Sequence, residues 1–322
     1  MGSIAFSWDL LDTSFIIDVR SEIEFDKGHI PGAVNIPILN TEERKIVGTT
    51  FKQAGQKHAI LKGLELTGPH LSKRLKQAVK LVENKENIVV HCWRGGMRSS
   101  FFAYLLEFFG LKVTIIKGGY KSYRQRVIKS FEANYNFSIL GGMTGSGKTH
   151  ILHELDKINT VIIDLEGLAN HRGSSFGALG MEKQPSQEQF ENNLSYQLIR
   201  TNKKNCWLED ESRTVGARII PEGIWNQMRQ APHYFLDKTF ELRLDQIMED
   251  YGAFSKEDLQ FCMDRISKRL GPQHAKKAIN HIELGELREA FSIALIYYDK
   301  TYTYQKEIHP LGKRMDEILE EK

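Results

Sequence analysis

The chain has 322 residues, of which 41% are hydrophobic and 26% charged, a composition typical of a globular protein long enough for two domains. Its apolar runs are too short to span a bilayer, and its first residues lack the basic-then-apolar pattern of a secretion signal. Cys92, Cys206 and Cys262 are an odd number and widely spaced, which argues against a disulfide framework or a zinc site. We therefore expect a cytoplasmic protein with no membrane partner.

The net charge of +3 is unevenly distributed. Up to Ser130 there are 20 Lys and Arg against 12 Asp and Glu, whereas from Phe131 onward there are 24 against 29. A basic first part favours contact with a polyanion. Lysines that merely solvate helix faces explain the same excess equally well.

The first part of the chain alternates apolar strands with helical patterns. The predicted elements are a strand at Ser14–Ser21, a turn and short strand at His29–Pro37, a helix at His70–Asn84, a strand at Asn87–Cys92, a helix at Ser99–Gly110 and a strand with turn at Lys112–Tyr120. Strands that alternate with helices predict a parallel sheet with helices on both faces.

A second α/β unit follows. The predicted elements are a basic helical connector at Lys121–Asn134, strands at Asn136–Gly142, Thr160–Gly167 and Cys206–Ser212, a helix from Lys148, and helices from about Pro232 to the end. We therefore predict domains at residues 1–125 and 136–322, joined by a connector at 126–135. Both are α/β, and the second has a helical C-terminal part.

A glycine-rich loop follows the strand that ends in a cysteine. The loop consists of Cys92, Trp93, Arg94, Gly95, Gly96, Met97 and Arg98. Adjacent glycines let several backbone N–H groups point inward, and these donors, the next helix N-terminus and Arg94 or Arg98 all favour an anion. A cysteine in such a loop has a lowered pKa and is a candidate nucleophile that accepts sulfur or selenium.

The motifs "IIDVR", "GHIPGAVNIP", "VVHCWRGGMRS" and "KGGY" occur in the order and spacing of a rhodanese domain, which the first 125 or so residues resemble. The Cys-x5-Arg spacing is shared with some phosphatases, but the flanking motifs favour rhodanese. The resemblance implies that Cys92 is the chalcogen-carrying nucleophile. It also implies that Asp18, Arg20 and His29 are structural residues that brace loops near the cysteine.

The second glycine-rich loop fits the pattern G-x-x-x-x-G-K-[ST], follows an apolar strand and opens a helix. It consists of Gly142, Met143, Thr144, Gly145, Ser146, Gly147, Lys148 and Thr149. Its backbone N–H groups are expected to surround one phosphate, Lys148 to reach a second, and Thr149 to ligate Mg²⁺. The pattern indicates a di- or triphosphate site without showing that the ligand is a nucleotide.

Acids at the ends of later strands are candidates for ordering the metal, either Asp164 and Glu166 or Glu209 and Glu211. A helix N-cap or a surface salt bridge is the alternative role for each. Arg172, in the polar loop "NHRGSSFGALG", and Arg213, in "ESRTVG", are candidate phosphate contacts. For both arginines, a solvent-exposed position without a phosphate contact fits the sequence equally well.

A rhodanese-like unit followed by a P-loop unit, with "DLEGLANHRGSSFG" and "LEDESRTVG", resembles the tRNA 2-selenouridine synthase family from Ser14 to at least Arg229. The resemblance implies an enzyme that replaces the sulfur of wobble 2-thiouridine with selenium. It implies selenophosphate as the selenium donor, geranyl diphosphate as the source of an S-geranyl intermediate, and Mg²⁺ with the diphosphate. The expected macromolecular partner is tRNA and not DNA.

A basic cluster in "RISKRLGPQHAKKA" is a candidate tRNA surface together with the basic first domain. It consists of Arg265, Lys268, Arg269, Lys276 and Lys277, for which a solvated helix face is an equal alternative. The tyrosines of "YYDKTYTY" are candidates for base stacking or for the core: Tyr297, Tyr298, Tyr302 and Tyr304.

Three other functions fit parts of the pattern. One is a P-loop ATPase or kinase with a regulatory rhodanese domain, which predicts nucleotide turnover and a dispensable Cys92. Another is a rhodanese-type sulfurtransferase that acts without tRNA. A non-enzymatic tRNA-binding scaffold leaves both glycine-rich loops unexplained.

Overall fold

The computed structural model describes residues 2–157, 160–202, 204–308 and 313–314, with side chains through residue 300. The chain forms two compact units. The first runs to Phe131 and also takes in Ser186–Ile199, whereas the second comprises Glu132–Pro185 and the chain from Arg200 onward. Among the described helices, none is both long and apolar enough to cross a membrane.

The first unit is built on a parallel sheet. Its strands are β1 (Gly2–Ala5), β2 (Phe15–Asp18), β3 (Val34–Asn35), β4 (Ile88–His91) and β5 (Val113–Lys117). They pair in the order β1-β5-β4-β2-β3, every pair parallel. Buried apolar side chains of β2, β4 and β5 contribute to the core. Their sequences are rich in apolar residues because helices cover both faces of a parallel sheet.

Helices flank this sheet. They are α1 (Leu10–Thr13), α2 (Glu22–Lys27), α3 (Thr41–Val82), α4 (Met97–Phe108) and α5 (Gly119–Ser130). The sequence predicted a helix only at residues 70–84, which overlaps the last part of the long α3. Helix α3 bends at Gly55, whose φ is 81°, and contains Pro69, so the part before residue 70 lacks an uninterrupted helical pattern.

Helix α5 is part of the first unit and not a separate connector. Tyr120, Tyr123 and Val127 are fully buried on one of its faces. Burial of three large side chains anchors this helix to the sheet, which explains why the basic composition of the segment was a poor guide to its position.

The second unit contains a parallel sheet in the order β12-β11-β6-β8-β7 and a short antiparallel pair. The strands are β6 (Phe137–Gly142), β7 (Val161–Ile163), β8 (Cys206–Glu209), β9 (Thr214–Val215), β10 (Arg218–Ile219), β11 (His233–Leu236) and β12 (Lys313–Arg314). Strand β11 corrects the prediction of continuous helix from Pro232. All four residues of β11 are partly buried, and four residues are too few to show the alternating pattern of a strand.

The remaining helices are α6 (Lys148–Lys157), α7 (Leu165–Ala169), α8 (Gln187–Arg200), α9 (Glu222–Gln230), α10 (Phe240–Tyr251), α11 (Lys256–Leu270), α12 (Pro272–Leu284) and α13 (Leu287–Ile308). Helices α10 to α13 enclose a second core that includes Met263, Ile282 and Phe291. Helix α8 lies between β7 and β8 in the chain but packs in the first unit, which the sequence did not predict.

Candidate functional sites

Cys92 lies directly after β4, and α4 begins five residues later. Its side chain is enclosed, with 4% of the residue exposed. The Gly96 N–H donates to Cys92 Sγ at 3.3 Å, and Ser99 Oγ lies 3.3 Å from the same sulfur. Burial raises the pKa of the thiol, but Ser99, the Arg98 charge and the Arg94 N–H together lower that pKa below its usual value.

The two loop arginines have different surroundings. Arg98 donates to both carboxylate oxygens of Glu24, at 2.7 and 3.2 Å. Burial raises the pKa of Glu24, but Arg98 and Ser21 outweigh it and lower that pKa to about 2. Glu24 therefore holds the guanidinium of Arg98 in place near Cys92, whereas Arg94 is exposed at the loop and accessible to an incoming anion.

Two glycines give the loop its shape. A Cβ atom on Gly119 would lie 2.3 Å from the Cys92 carbonyl oxygen, and one on Gly95 would lie 2.3 Å from the Ile116 carbonyl oxygen. Both residues have positive φ, 57° and 64°. The "KGGY" turn therefore packs directly on the cysteine loop, and a side chain at Gly119 would displace it.

Asp18 and Arg20 form a buried ion pair, whereas His29 is half-buried. Arg20 donates to both Asp18 oxygens and to the Gly28 carbonyl, and its guanidinium lies 3.8 Å from the centre of the Tyr120 ring. His29 Nδ1 lies 3.0 Å from the Phe25 carbonyl oxygen. These contacts tie Arg20 to Asp18, Gly28 and Tyr120. That all three residues brace the cysteine loop stays a prediction.

Helix α8 supplies residues that the sequence did not single out. Asn192 is fully buried, and its side chain donates to the His29 carbonyl at 2.9 Å and to the Tyr120 hydroxyl at 2.8 Å. Arg124 donates to Asn192 Oδ1 at 2.7 Å, and Tyr120 donates to Glu188 at 2.8 Å. Gln189, Asn192 and Ser195 form a buried polar stripe at helical spacing, but that signal does not identify its partner.

The second site begins where β6 ends and α6 starts. Gly145 and Gly147 have φ values of 78° and 76°, which only glycine adopts readily. Lys148 Nζ donates to the Gly142 carbonyl at 3.1 Å, and Thr149 Oγ1 donates to Glu166 Oε2 at 2.9 Å. The lysine, the hydroxyl and one carboxylate thus converge around the loop.

The four candidate acids have distinct positions. Asp164 caps α7 by accepting from the Gly167 N–H at 2.6 Å, and Glu209 accepts from the Leu165 N–H at 3.1 Å. Glu166 and Glu211 line the cavity at the glycine loop. Burial and the charge of Glu166 raise the pKa of Glu211 to about 8, while Lys148 opposes that rise.

This cavity has a volume of about 1020 Å³ and lies wholly in the second unit. Arg172 and Arg213 both line it, as do the loop residues Thr144 to Thr149. Arg172 lies over the Tyr251 ring, with 5.7 Å from Cζ to the ring centre, and its Nη1 is buried without a hydrogen-bond partner among the described residues. Arg213 is half exposed and lies 3.7 Å from Glu222.

The remaining candidates lie on the helices of the second unit. Arg265, Lys268 and Arg269 on α11, and Lys276 and Lys277 on α12, are all exposed. Tyr297 packs against the core of these helices, and the Ser175 N–H donates to the Tyr298 hydroxyl at 3.3 Å. The side chains of Tyr302 and Tyr304 lie outside the described residues.

The residues present fit a magnesium ion that arrives with phosphate groups. Among the described side chains, no three His, Cys, Asp or Glu form a ready metal cage. Mg²⁺ is commonly held by one or two carboxylates together with substrate phosphates and waters. Thr149 and Glu166 supply hard oxygen donors to such an ion, and they lie within hydrogen-bond distance of each other.

Two family models match successive parts of this chain. Residues 7–126 match the rhodanese-like domain, and residues 135–310 match the AAA domain of tRNA 2-selenouridine synthase. A solved structure, the N-terminal domain of a putative ATP/GTP binding protein from Clostridium difficile 630, is 40% identical and covers 36% of this chain and 89% of its own, with a TM-score of 0.35.

Among curated relatives, the tRNA 2-selenouridine synthase of Nitrosomonas europaea is 39% identical over 73% of this chain, a match that spans 63% of that protein. The tRNA 2-selenouridine synthase of Pseudomonas putida strain GB-1 is 34% identical over 92% of this chain and 89% of its own length. The chain therefore belongs to the tRNA 2-selenouridine synthase family.

Proposed function

We propose that the chain converts 2-thiouridine at the wobble position of tRNA into 2-selenouridine through an S-geranyl intermediate. The observation that carries the proposal is the pair of unlike anion sites, one of which holds a low-pKa thiol while the other holds Lys148, Thr149 and Glu166. Family membership supports the selenium chemistry, because the relatives are named tRNA 2-selenouridine synthases. Geranyl diphosphate and selenophosphate are the proposed co-substrates.

The glycine-rich loop of the second unit is the proposed site of the first step. The thiouridine sulfur attacks C1 of the geranyl group, the C1–O bond breaks with its electrons going to the diphosphate, and the base loses its N3 proton. Lys148 and the loop N–H groups balance the negative charge of the departing diphosphate. Bound Mg²⁺, held by Thr149 and Glu166, would neutralise further charge on that diphosphate.

The cysteine loop of the first unit is the proposed site of the second step. Alkylation turns the sulfur into a better leaving group. The selenium of selenophosphate then forms the new bond at C2, the C2–S bond breaks, and geranylthiol departs with a proton. Water cleaves the P–Se bond to give phosphate, and N3 regains the proton that it lost in the first step. Cys92 is proposed to position selenophosphate, with Arg94 at the loop opening as the proposed anion contact.

Exposed cations on α11 and α12 are the proposed tRNA contact. Arg265, Lys268, Arg269, Lys276 and Lys277 all lie in solvent, where they can exchange counterions with phosphates. A basic first unit adds to the same attraction.

The test is a reaction with the purified full chain and 2-thiouridine tRNA, followed by mass spectrometry of the wobble nucleoside. With geranyl diphosphate alone we expect S-geranyl-2-thiouridine, and with selenophosphate added we expect 2-selenouridine. Reactions without geranyl diphosphate are the control and are expected to leave 2-thiouridine. An unchanged nucleoside together with steady ATP hydrolysis would instead establish a P-loop ATPase.

A further inference from the structure

One side of the cavity at the glycine-rich loop is apolar. Phe176, Ile247, Tyr251, Phe291, Ala294 and Leu295 line it, and each is less than 10% exposed. They come from the loop after α7, from α10 and from α13. We refer to these six residues as the apolar wall.

The apolar wall directly adjoins the phosphate loop. A Cβ atom on Gly145 would lie 3.0 Å from Ile247 Cδ1, so an apolar side chain touches the loop backbone. Buried Arg243 donates to the Thr144 carbonyl at 3.1 Å and to both oxygens of Asp299 at 2.7 Å. Helices α10 and α13 are therefore fastened to the loop, which sets the distance between the wall and a bound phosphate.

Three aromatic rings of the apolar wall pack against one another. The Phe176 and Phe291 rings meet edge to face with centroids 6.0 Å apart, and Tyr251 lies 5.8 Å from Phe176. Arg172 lies over the Tyr251 ring, with its Nη1 unpaired among the described residues. A cation in the lining of the same cavity thus adjoins the apolar wall.

The ligand class follows from this division. A nucleoside diphosphate would set ribose hydroxyls and base edges against side chains that offer few hydrogen bonds, which costs free energy. A hydrocarbon chain loses nothing there and gains from leaving water. We propose that the apolar wall binds the isoprenoid chain of the diphosphate donor and that Ala294, its smallest member, sets the chain length accepted.

This proposal rests on the proposed function for the identity of the donor, but binding tests it without tRNA. The wild-type full chain is titrated calorimetrically, in Mg²⁺, with inorganic diphosphate, dimethylallyl diphosphate and geranyl diphosphate. Affinity is expected to rise with chain length, with geranyl diphosphate at least about tenfold tighter than inorganic diphosphate. The heat-capacity change is expected to become more negative in the same order.

Ala294→Phe fills the wall and is expected to remove the advantage of geranyl diphosphate while leaving inorganic diphosphate within about twofold. Ile296→Phe is the matched control, because Ile296 lies on the same helix with 47% exposure. It is expected to bind all three ligands as the wild type does. Retained diphosphate binding by Ala294→Phe also shows that the variant is folded.

Two results would overturn the assignment: equal affinity of the wild type for inorganic and geranyl diphosphate, or equal effects of the two phenylalanine variants. Failure of the proposed function is distinguishable. If tRNA is never geranylated but affinity still rises with chain length and Ala294→Phe abolishes the rise, the wall binds isoprenoid chains in another reaction. If tRNA is geranylated but Ala294→Phe keeps the affinity advantage of geranyl diphosphate over inorganic diphosphate, the isoprenoid chain binds elsewhere.

Discussion

Asn192 Nδ2 donates to the Tyr120 hydroxyl at 2.8 Å, and the Tyr120 N–H donates in turn to the Cys92 carbonyl at 2.9 Å. A helix whose sequence lies within the P-loop domain thus supports the backbone of the candidate nucleophile in the first unit. The first unit is incomplete without that segment. Helix α8 is therefore expected to matter for the chemistry of Cys92 and not only for stability.

Asn192→Leu is expected to destabilise the protein by about 2–4 kcal/mol, because it leaves several buried polar groups without partners. It is also expected to change the alkylation rate of Cys92 by iodoacetamide. Urea unfolding and mass-resolved alkylation measure the two effects. Asn193→Leu is the control, since Asn193 accepts a hydrogen bond from Gln189 within the same helix, and equal effects of both variants would contradict this role.

Ser99→Ala is expected to shift the pH profile of Cys92 alkylation to higher pH. Ser99 lies 3.3 Å from the sulfur and lowers the pKa of the thiol, so its removal leaves less thiolate at pH values below the new midpoint. Alkylation rates between pH 5 and 10 locate that midpoint. Ser100→Ala, which alters the next serine of α4, should leave the profile unchanged, and a downward shift for Ser99→Ala would refute the assignment.

Gly119→Ala is expected to cost more than about 2 kcal/mol in unfolding free energy and to disturb Cys92 reactivity. The added Cβ atom would meet the Cys92 carbonyl oxygen at 2.3 Å. Gly110→Ala is the control for backbone strain alone, because Gly110 also has a positive φ, 81°, but a Cβ atom there would have no atom within 4 Å. Chemical unfolding of both variants checks the difference, and a Gly110→Ala cost equal to that of Gly119→Ala would argue against close packing.

Reversing two charges of the basic cluster, in Lys268→Glu with Arg269→Glu, is expected to weaken tRNA binding at least about tenfold and to reduce its salt dependence. Binding measured across salt concentrations gives both quantities. Lys204→Glu with Lys300→Glu, at two exposed lysines outside the cluster, changes the net charge by the same amount and is the control. Unchanged affinity and salt slope in the double variant would exclude this surface as the tRNA contact.

Both glycine-rich loops could be predicted because each combines an apolar strand, a glycine pattern and a helix within a few residues. Strands β4 and β6 are buried throughout and mostly apolar, and Cys92 and the phosphate loop come directly after them. Such local signals need no knowledge of distant contacts.

Long-range packing could not be predicted in the same way. Asn192 and Glu188 meet Tyr120 across about 70 residues of chain, and no local pattern encodes that pairing. The apolar wall was missed for a related reason, because Ile247 and Phe291 have the spacing of ordinary core residues. What distinguishes them is that both line the cavity at the phosphate loop and that Ile247 lies beside Gly145.

The central claim is that the two anion sites divide the reaction between them. The most direct test is mass spectrometry of the wobble nucleoside after 2-thiouridine tRNA has been incubated with geranyl diphosphate and then selenophosphate. We predict that Lys148→Ala leaves 2-thiouridine, whereas Cys92→Ala accumulates S-geranyl-2-thiouridine and the wild type yields 2-selenouridine. If both variants stopped at the same nucleoside, the division of labour between the two sites would be wrong.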